Sequence, residues 1–526
     1  MTPHAQALDD LPPSPPPISG VPMDIILVIF DILRQSCGSG PEMSMVDSSL
    51  TFDVALRWVP EVTHVCRSWR EAALLASFLW TDIDFEASIP WAVEFARRSR
   101  QAPIKIILKP EIIRYQDRSP KLYECIKTLL HENRPRIREV RLHGVEDEGI
   151  ISTFSDNMET GSVFFPLLES LEISIESYHD VPSLILTNHI LHAPNLKMLS
   201  LLQCSVAEDF ASFRNISCLS ITENATSGST MNFLRRALPQ MLNLETLSLR
   251  AWDEFAVISA FDFGTQAATL PKLYGIKIDW PIELIIPILQ MISCGPQRKL
   301  RIGGILAVDR PLEQALRLFT CFMSHVGSSM PQLGLLCDSS KIRVWDSQEN
   351  VTTPDFSLSF GFPYHPQDPV DPAPFLLGGL LHRMNHQSLR ALSLRVTLST
   401  QSWVTIFGTL PLLDRIRINQ GEQNFFAALV SGIESEEVSA ERPNHANATA
   451  AALPFRGLKA VRIGGRKQPY PKKDMAFILR CLRVRKERGY KLKKLHFSSV
   501  AREDLKMQLG ALKGIVGSLE IRSLMF

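Results

Sequence analysis

The chain is predicted to adopt a mixed α/β fold in which a small helical unit precedes a long solenoid of short parallel strands alternating with helices. Three observations support this prediction. One apolar pattern recurs through most of the 526 residues, its first copies lie 20 to 31 residues apart, and the N-terminal part carries helical patterning instead. A chain of this length exceeds what one compact core holds, whereas a repeat array can grow without a single core.

The recurring pattern is a large apolar residue followed, three and five positions later, by two more apolar residues. Copies begin at Ile137, Leu168, Leu196, Ile216, Leu244, Leu273, Leu389, Leu413, Leu458 and Leu492. The middle residues of the first six copies are separated by 31, 28, 20, 28 and 29 positions. This pattern at this period resembles leucine-rich repeats, in which each repeat supplies one short strand and a helical or irregular return.

Local sequence around the copies supports alternating strands and helices. Proline often precedes a copy, as in Phe165-Pro166-Leu167, where it ends a helix and favours an extended approach to the strand. Helical stretches lie between copies at Met231–Leu242, Pro311–His325 and Asp474–Arg488. The pattern is degenerate, so an irregular α/β solenoid is the alternative to regular leucine-rich repeats.

The repeats are harder to follow in the middle of the chain, where 116 residues separate the middle positions of two successive copies. Candidate strands in this interval contain Leu300/Ile302 and Ile342/Val344. Residues 351–376 carry six prolines and are predicted to form a surface loop. A second loop is predicted over residues 433–453, which are rich in Glu, Ala and Asn.

The N-terminal part predicts a leader, a helix and a loop. Residues 1–19 are proline-rich with little to bury, and a disordered leader is expected. A helix is predicted to begin at Val21-Pro22, because proline suits the first helical turn and Asp24 complements the positive helix end. Its apolar residues are Ile25, Ile26, Ile29, Phe30 and Leu33. Residues 36–52 are predicted to form a loop insertion.

The stretch Val65–Trp80 predicts another helix. Its apolar face consists of Val65, Cys66, Trp69, Ala72 and Ala73. A helix this short cannot keep such a face out of water alone, so it must pack on another surface.

Three N-terminal motifs, V-P-x-D-I-x-x-x-I-F, V-C-R-x-W-R-x-x-A and L-W-x-x-I, together resemble the F-box as fungal proteins often carry it. The resemblance covers residues 20–85 and departs from the family at Val21, where leucine is usual, and in the loop insertion. A linking α/β segment over 86–134 and the repeat array over 135–526 would follow. The alternative for residues 20–85 is an ordinary helical subdomain that caps the array.

The resemblance implies a substrate-recognition subunit of an SCF-type ubiquitin ligase. The F-box would dock the ligase's adaptor subunit, and through it cullin, while the array would bind a target protein. The docking residues that the resemblance implies are Pro22, Ile25, Ile29, Phe30, Val65, Cys66, Trp69 and Trp80. Trp69 and Trp80 could instead pack inside the unit. The alternative function is a leucine-rich-repeat scaffold or interaction protein without a ligase role.

Motifs for catalysis, cofactors and metals are missing from the sequence. It contains no G-x-G-x-x-G, Walker-type phosphate loop, G-x-S-x-G or H-E-x-x-H, so an enzyme is the least favoured class and no cofactor is expected. His382 and His386 could share a helix face, but without a third ligand at a suitable spacing no metal site is predicted.

Cysteine usage and hydropathy favour the cytoplasm or nucleus. The nine cysteines are scattered without a C-x-x-C pair, which is typical of reduced thiols. The longest apolar run, Val21–Leu33, spans 13 residues and contains two aspartates, whereas a membrane span needs about 20 apolar residues. Neither a membrane span nor a secretory signal is predicted.

Charge is distributed unevenly along the chain. From residue 454 onward there are 19 Lys/Arg and 5 Asp/Glu, a balance of +14, whereas the rest has 37 and 50, a balance of −13. By the leucine-rich-repeat resemblance, the concave face near the C-terminus would carry Arg395, Arg415, Arg417, Arg462, Lys494 and His496. Such a row suits carboxylates or phosphates, so the hypothesis is an acidic or phosphorylated segment of a protein partner. A merely solvated basic end is the alternative. Nucleic acid is disfavoured because interleaved exposed aromatics are missing.

Overall fold

A computed structural model describes the fold over much of the chain. The described residues are 21–38, 58–85, 88–108, 120–144, 165–175, 184–186, 193–206, 213–223, 228–251, 268–293, 299–305, 311–326, 333–337, 341–346, 356–361, 377–379, 389–419, 421–431, 454–464, 472–498 and 510–522. The chain divides into two compact units: unit 1 is Met1–Glu223 with Ser227–Met241, and unit 2 is Asn224–Thr226 with Leu242–Phe526.

Unit 1 begins with helices and continues as alternating strands and helices. In chain order it contains α1 (Met23–Gly38), α2 (Trp58–Thr63), α3 (Arg67–Leu75), a 3-10 turn (Ser77–Trp80), β1 (Asp82–Asp84), α4 (Ile89–Arg98), β2 (Ile104–Leu108), α5 (Pro120–Asn133), β3 (Ile137–Leu142), β4 (Ser170–Ser174), β5 (Leu184–Leu186), β6 (Met198–Leu202), β7 (Cys204–Val206), β8 (Cys218–Glu223) and α6 (Gly228–Ala237). Further 3-10 turns are Arg134–Arg136, Phe213–Asn215 and Leu238–Gln240.

The main sheet of unit 1 is parallel, and successive strands are neighbours. Its order is β1-β2-β3-β4-β6-β8, while β5 and β7 form a separate short parallel pair. The middle residues of the repeated pattern lie in register, with Val140 opposite Leu171, Leu171 opposite Leu199 and Leu199 opposite Leu219. All four are buried. The predicted parallel α/β arrangement is confirmed here, and the sheet also includes β1 and β2, which precede residue 135.

Unit 2 continues the alternation. It contains β9 (Thr246–Ala251), β10 (Ala268–Thr269), β11 (Gly275–Asp279), α7 (Ile282–Met291), β12 (Ile292–Ser293), β13 (Lys299–Ile305), α8 (Pro311–Val326), β14 (Leu333–Cys337), β15 (Lys341–Asp346), β16 (Phe356–Gly361), β17 (Leu389–Leu394), α9 (Thr400–Phe407), β18 (Arg415–Ile418), α10 (Glu422–Val430), β19 (Ala460–Ile463), α11 (Lys472–Glu487), β20 (Lys494–Ser498) and β21 (Ser518–Arg522).

The sheet of unit 2 has the order β9-β11-β13-β16-β15-β14-β17-β18-β19-β20-β21, and β10 pairs separately with β12. It is parallel except at β15, which runs antiparallel to β14 and β16. The repeated pattern again lies in register: Leu392 is opposite Ile416, Ile416 opposite Val461, and Val461 opposite Leu495.

Two predictions for the middle of the chain have opposite outcomes. The candidate strands at Leu300/Ile302 and Ile342/Val344 are present as β13 and β15. The predicted uninterrupted loop over 351–376 is wrong at Phe356–Gly361, which forms β16 between β13 and β15. The rest of that stretch, the leader 1–19 and the predicted loop 433–453 lie outside the described residues. Among the helices that are described, none combines the length and apolar character that a membrane span requires.

Asparagine side chains connect successive repeats of unit 1 just before their strands. Asn195 Nδ2 donates a hydrogen bond to the Pro166 carbonyl oxygen at 2.6 Å, and Asn215 Nδ2 donates to the Pro194 carbonyl oxygen at 2.6 Å. Each bond satisfies a carbonyl that the strand ladder does not use. The sequence analysis missed this link because the asparagines do not recur in every copy.

Replacing Asn195 and Asn215 together by alanine is expected to lower the free energy of unfolding by about 1–2 kcal/mol, because two hydrogen bonds between repeats are lost. Urea unfolding followed by circular dichroism measures this change. Gln240→Ala is the control, since the exposed Gln240 amide donates to the Arg236 carbonyl oxygen, four residues earlier, and to no other repeat among the described residues. Equal stability of the double variant and this control would contradict a role for the asparagines in joining repeats.

Candidate functional site

Two of the eight predicted docking residues lie in the interior of unit 1. Phe30 and Trp80 are both 0% exposed. The Trp80 ring packs against Trp58 and Phe95, with centroids 5.2 and 4.9 Å away, and its Nε1 donates to the Ala73 carbonyl oxygen at 2.8 Å. A partner cannot reach either side chain. The assignment of Phe30 and Trp80 to the docking surface is therefore wrong, and both stabilise the unit from within.

The predicted helix Val65–Trp80 is shorter than expected. It spans Arg67–Leu75, and Cys66 is its N-cap, with the Trp69 backbone N–H donating to Cys66 Sγ at 3.5 Å. Val65 and Cys66 precede the helix and are exposed, so they do not belong to its apolar face as predicted. Trp69 is half-buried, and its ring meets Phe30 edge-on at 5.0 Å.

Helix α1 presents apolar side chains on two sides. Ile26 and Phe30 are buried against the rest of unit 1. The opposite side exposes Ile25, Val28, Ile29 and Ile32, whose exposed fractions are 49%, 57%, 39% and 57%. These four residues, termed the outer face of α1, lie at helical spacing along more than two turns. Pro22 and Met23 are also exposed at its start.

Further exposed apolar residues follow in and after α3, at Leu74, Leu75 and Phe78. Sequence reasoning missed these three as well as Val28 and Ile32. A usable signal was present in α1, since apolar residues that occupy both sides of one short helix indicate two packing surfaces.

An ion pair fixes α1 to the first strand of the sheet. Arg34 on α1 pairs with Asp82 on β1 and with Asp31 at 2.8 Å. Opposite charges then alternate on the neighbouring strands of the sheet. Lys105 Nζ on β2 lies 3.9 Å from the Asp82 carboxylate on β1 and 3.6 Å from the Glu139 carboxylate on β3. Cations of unit 1 on this face are thus balanced by neighbouring carboxylates.

The six predicted basic residues of unit 2 lie on one side of neighbouring strands. Arg417 is opposite Arg462, and Arg462 is opposite His496. Arg415 lies two residues before Arg417 on β18, and Lys494 lies two residues before His496 on β20, so each shares the outward face with its neighbour. Arg395 directly follows β17, and its N–H donates to the Cys337 carbonyl oxygen at 2.8 Å.

Carboxylates accompany three of these six residues. Lys494 Nζ is 2.6 Å from Glu520 Oε1, and His496 Nδ1 is 3.4 Å from Glu520 Oε2. Arg415 Nε is 3.3 Å from Asp414 Oδ1. Glu520 lies on β21, a strand that the sequence analysis did not predict. The basic row is therefore partly neutralised at its C-terminal end.

The other three, Arg395, Arg417 and Arg462, are termed the arginine cluster. None of them forms an ion pair with any residue that the structure describes. Burial, followed by Arg462 and Arg395, lowers the pKa of the Arg417 guanidinium. The buried Nε atoms of Arg417 and Arg462, and the buried Oδ1 of Asn419, have no hydrogen-bond partner within the described part of the chain. The cluster thus offers unused donors in a half-buried cationic environment.

No protein-family model matches the chain, and no curated protein matches it either.

Side chains that could jointly bind a metal ion are not assembled in the described residues. They contain no group of three or more His, Cys, Asp and Glu side chains that could hold a metal ion. Burial raises the pKa of the Cys125, Cys204 and Cys321 thiols, which favours the thiol over the nucleophilic thiolate. His382 and His386 lie outside the described residues. The described residues thus present one exposed apolar surface, on α1, and one half-buried cationic cluster, on β17 to β19.

Proposed function

We propose that the chain is a substrate-recognition subunit of an SCF-type ubiquitin ligase. In this proposal the N-terminal helices form an F-box that docks the ligase's adaptor subunit, and through it cullin, while the strand array binds a target protein in the cytoplasm or nucleus. The chain needs no catalytic residue for this role, since the transfer chemistry belongs to other subunits.

The observation that carries the proposal is the outer face of α1. A terminal unit that merely caps a repeat array needs a polar outer surface to stay in solution. Here Ile25, Val28, Ile29 and Ile32 face outward on a helix whose other side is already packed. Contiguous exposed apolar residues mark interaction surfaces, and their burial supplies most of the binding energy. The docking surface that we propose consists of Pro22, Ile25, Val28, Ile29, Ile32, Val65 and Cys66.

For the target, we propose that the arginine cluster binds a carboxylate or phosphate group of an acidic or phosphorylated segment. A guanidinium donates two parallel hydrogen bonds to such groups, and the cluster has donors to spare. On unit 1, the described cations Arg34 and Lys105 lie beside carboxylates, which directs the proposal to unit 2.

The docking proposal predicts that the double substitution Ile25→Glu/Ile29→Glu weakens adaptor binding about 100-fold. Each isoleucine loses roughly 1.5 kcal/mol or more of burial energy, and a charge is placed in an apolar interface. Both positions are exposed, so folding is expected to be unchanged. Co-purification of the full chain with the adaptor, followed by isothermal titration calorimetry, measures the effect.

The matched control is Leu242→Glu, which places the same charge at an exposed leucine outside the docking surface. Full adaptor binding by the double variant would refute the docking surface. If the unmodified chain itself does not bind the adaptor, the ligase role is wrong and the scaffold alternative is favoured.

A further inference from the structure

The arginine cluster concentrates three cations at one place on the sheet of unit 2. Arg417 and Arg462 are opposite each other on the adjacent strands β18 and β19, which places their Cα atoms about 5 Å apart. Arg395 directly follows β17, the strand on the other side of β18. After burial, Arg462 and Arg395 are the causes that lower the pKa of the Arg417 guanidinium, so the three charges are close enough to repel one another.

The cluster is accessible to an anion from solvent. Arg395 is exposed, and Arg417 and Arg462 are each partly exposed. Two of the adjoining residues are small, since Ser393 is opposite Arg417 and Ala460 lies two residues before Arg462 on β19. At these two positions there is no long side chain that could cover the guanidinium groups.

The cations next to the cluster are already accompanied by carboxylates. Asp414, which directly precedes β18, lies 3.3 Å from Arg415 Nε and 3.7 Å from Lys459 Nζ. On the far side, Glu520 on β21 lies 2.6 Å from Lys494 Nζ. The positive charge that is available to an incoming anion is therefore concentrated in the three arginines and does not extend over a long strip.

This distribution of charge suits one compact dianion better than a run of carboxylates. A phosphate monoester carries a charge of about −1.5 to −2 at pH 7 and presents three acceptor oxygens at a single point. One carboxylate would neutralise only one of the three arginines. Further carboxylates of an acidic segment would extend beyond the cluster, toward cations that Asp414 and Glu520 already accompany.

We propose that the arginine cluster selects a single phosphorylated side chain of the target protein in preference to acidic side chains. The proposal rests on the target-binding role of this cluster and names the chemical group that it recognises. Arg417 and Arg462 would donate paired hydrogen bonds to the phosphate oxygens from adjacent strands, and Arg395 would donate from the exposed side. Binding of the target would then require its prior phosphorylation.

The test measures the binding of short synthetic peptides to the full chain by fluorescence anisotropy at fixed ionic strength. One peptide carries a single phosphoserine between alanines, and the matched peptides carry serine, one aspartate or three consecutive aspartates at that place. The phosphopeptide is expected to bind at least about 10-fold more tightly than either aspartate peptide, because it brings more charge to one point. Orthophosphate is expected to compete for the same site without binding more tightly than the phosphopeptide.

Substitutions in the chain assign the binding to the cluster. Arg417→Gln and Arg462→Gln are each expected to weaken phosphopeptide binding about 10- to 100-fold, since each removes charge-assisted hydrogen bonds. Arg395→Gln, at an exposed position where folding is not at risk, is expected to weaken it in the same direction. Lys513→Gln removes an exposed cation elsewhere in unit 2 and is the control with unchanged affinity.

The outcomes separate this proposal from the target-binding role on which it rests. If the triple-aspartate peptide binds as tightly as the phosphopeptide and Arg417→Gln abolishes both, the preference for phosphate is wrong and the cluster remains the target site. If no peptide binds, or if phosphopeptide binding is unchanged in both Arg417→Gln and Arg462→Gln, the target-binding role fails as well. Tighter binding of orthophosphate than of the phosphopeptide would overturn the proposal in favour of a free anion.

Discussion

Replacing Trp80 by alanine is expected to lower the free energy of unfolding of unit 1 by about 3–5 kcal/mol, the range typical for a fully buried large aromatic residue. The indole is 0% exposed and packs between Trp58 and Phe95. Its removal also leaves the Ala73 carbonyl oxygen without its donor, and Arg98, 4.4 Å from the ring, without its cation–π partner. Guanidinium unfolding of the full chain, followed by tryptophan fluorescence and far-UV circular dichroism, measures the loss.

Trp69→Ala provides the comparison. Trp69 is half-buried and touches the interior through the edge of Phe30, so its replacement is expected to cost about 1–2 kcal/mol. The difference between the two losses of unfolding free energy therefore distinguishes a core residue, Trp80, from a residue near the docking surface, Trp69. If Trp80→Ala were tolerated as well as Trp69→Ala while adaptor binding failed, Trp80 would be a docking residue after all and the packing described for it would be wrong.

The repeated apolar pattern was enough to predict the strands that form most of the ladder. Each strand needs large apolar residues at its inward positions, because those side chains are fully buried. The residues of the strand itself meet this requirement, so a short stretch of sequence is enough to predict it. Strand β2, with Ile104, Ile106 and Leu108, satisfies the same requirement by simple alternation. The recurring pattern does not include β2, because Pro103 stands three positions before Ile106, where the pattern has a large apolar residue.

The order of strands in unit 2 could not be predicted in the same way. β16 is a six-residue alternating stretch among prolines, and only its pairing with β13 and β15 makes it a strand. The antiparallel direction of β15 is likewise a long-range property, since nothing in Lys341–Asp346 specifies which neighbours it will have.

The docking residues show a similar limit. Ile29 and Phe30 are adjacent, apolar and helical, yet one is exposed and the other is fully buried. Helical periodicity predicts that they point in different directions but does not specify which direction is packed, because α1 is apolar on both sides.

The neutralisation of the basic row could not be predicted either. Alternation along β20 predicts that Lys494 and His496 point outward, but the Glu520 carboxylate that accompanies them comes from the adjacent strand β21.

The arginine cluster predicts the largest effect on target binding. The double substitution Arg417→Glu/Arg462→Glu is expected to reduce recovery of an acidic or phosphorylated target by more than 100-fold. Two sets of charge-assisted hydrogen bonds, each worth about 1.5–3 kcal/mol, would be lost and two repelling charges added. Proteins retained by the chain are identified by mass spectrometry, and their recovery by the variant is then measured at several salt concentrations. The salt dependence is expected to weaken in the variant.

A matched control reverses the same number of charges on the same side of the sheet. Arg415→Glu/Lys494→Glu alters cations that already lie beside Asp414 and Glu520, so their donors are partly used within the chain. This variant is expected to reduce recovery much less than the arginine-cluster variant, although both change the net charge by −4. Equal losses would show that only the overall basic character of the surface matters. Unchanged recovery by the arginine-cluster variant would show that the cluster does not bind the target, because the variant reverses the charge of two of its three arginines.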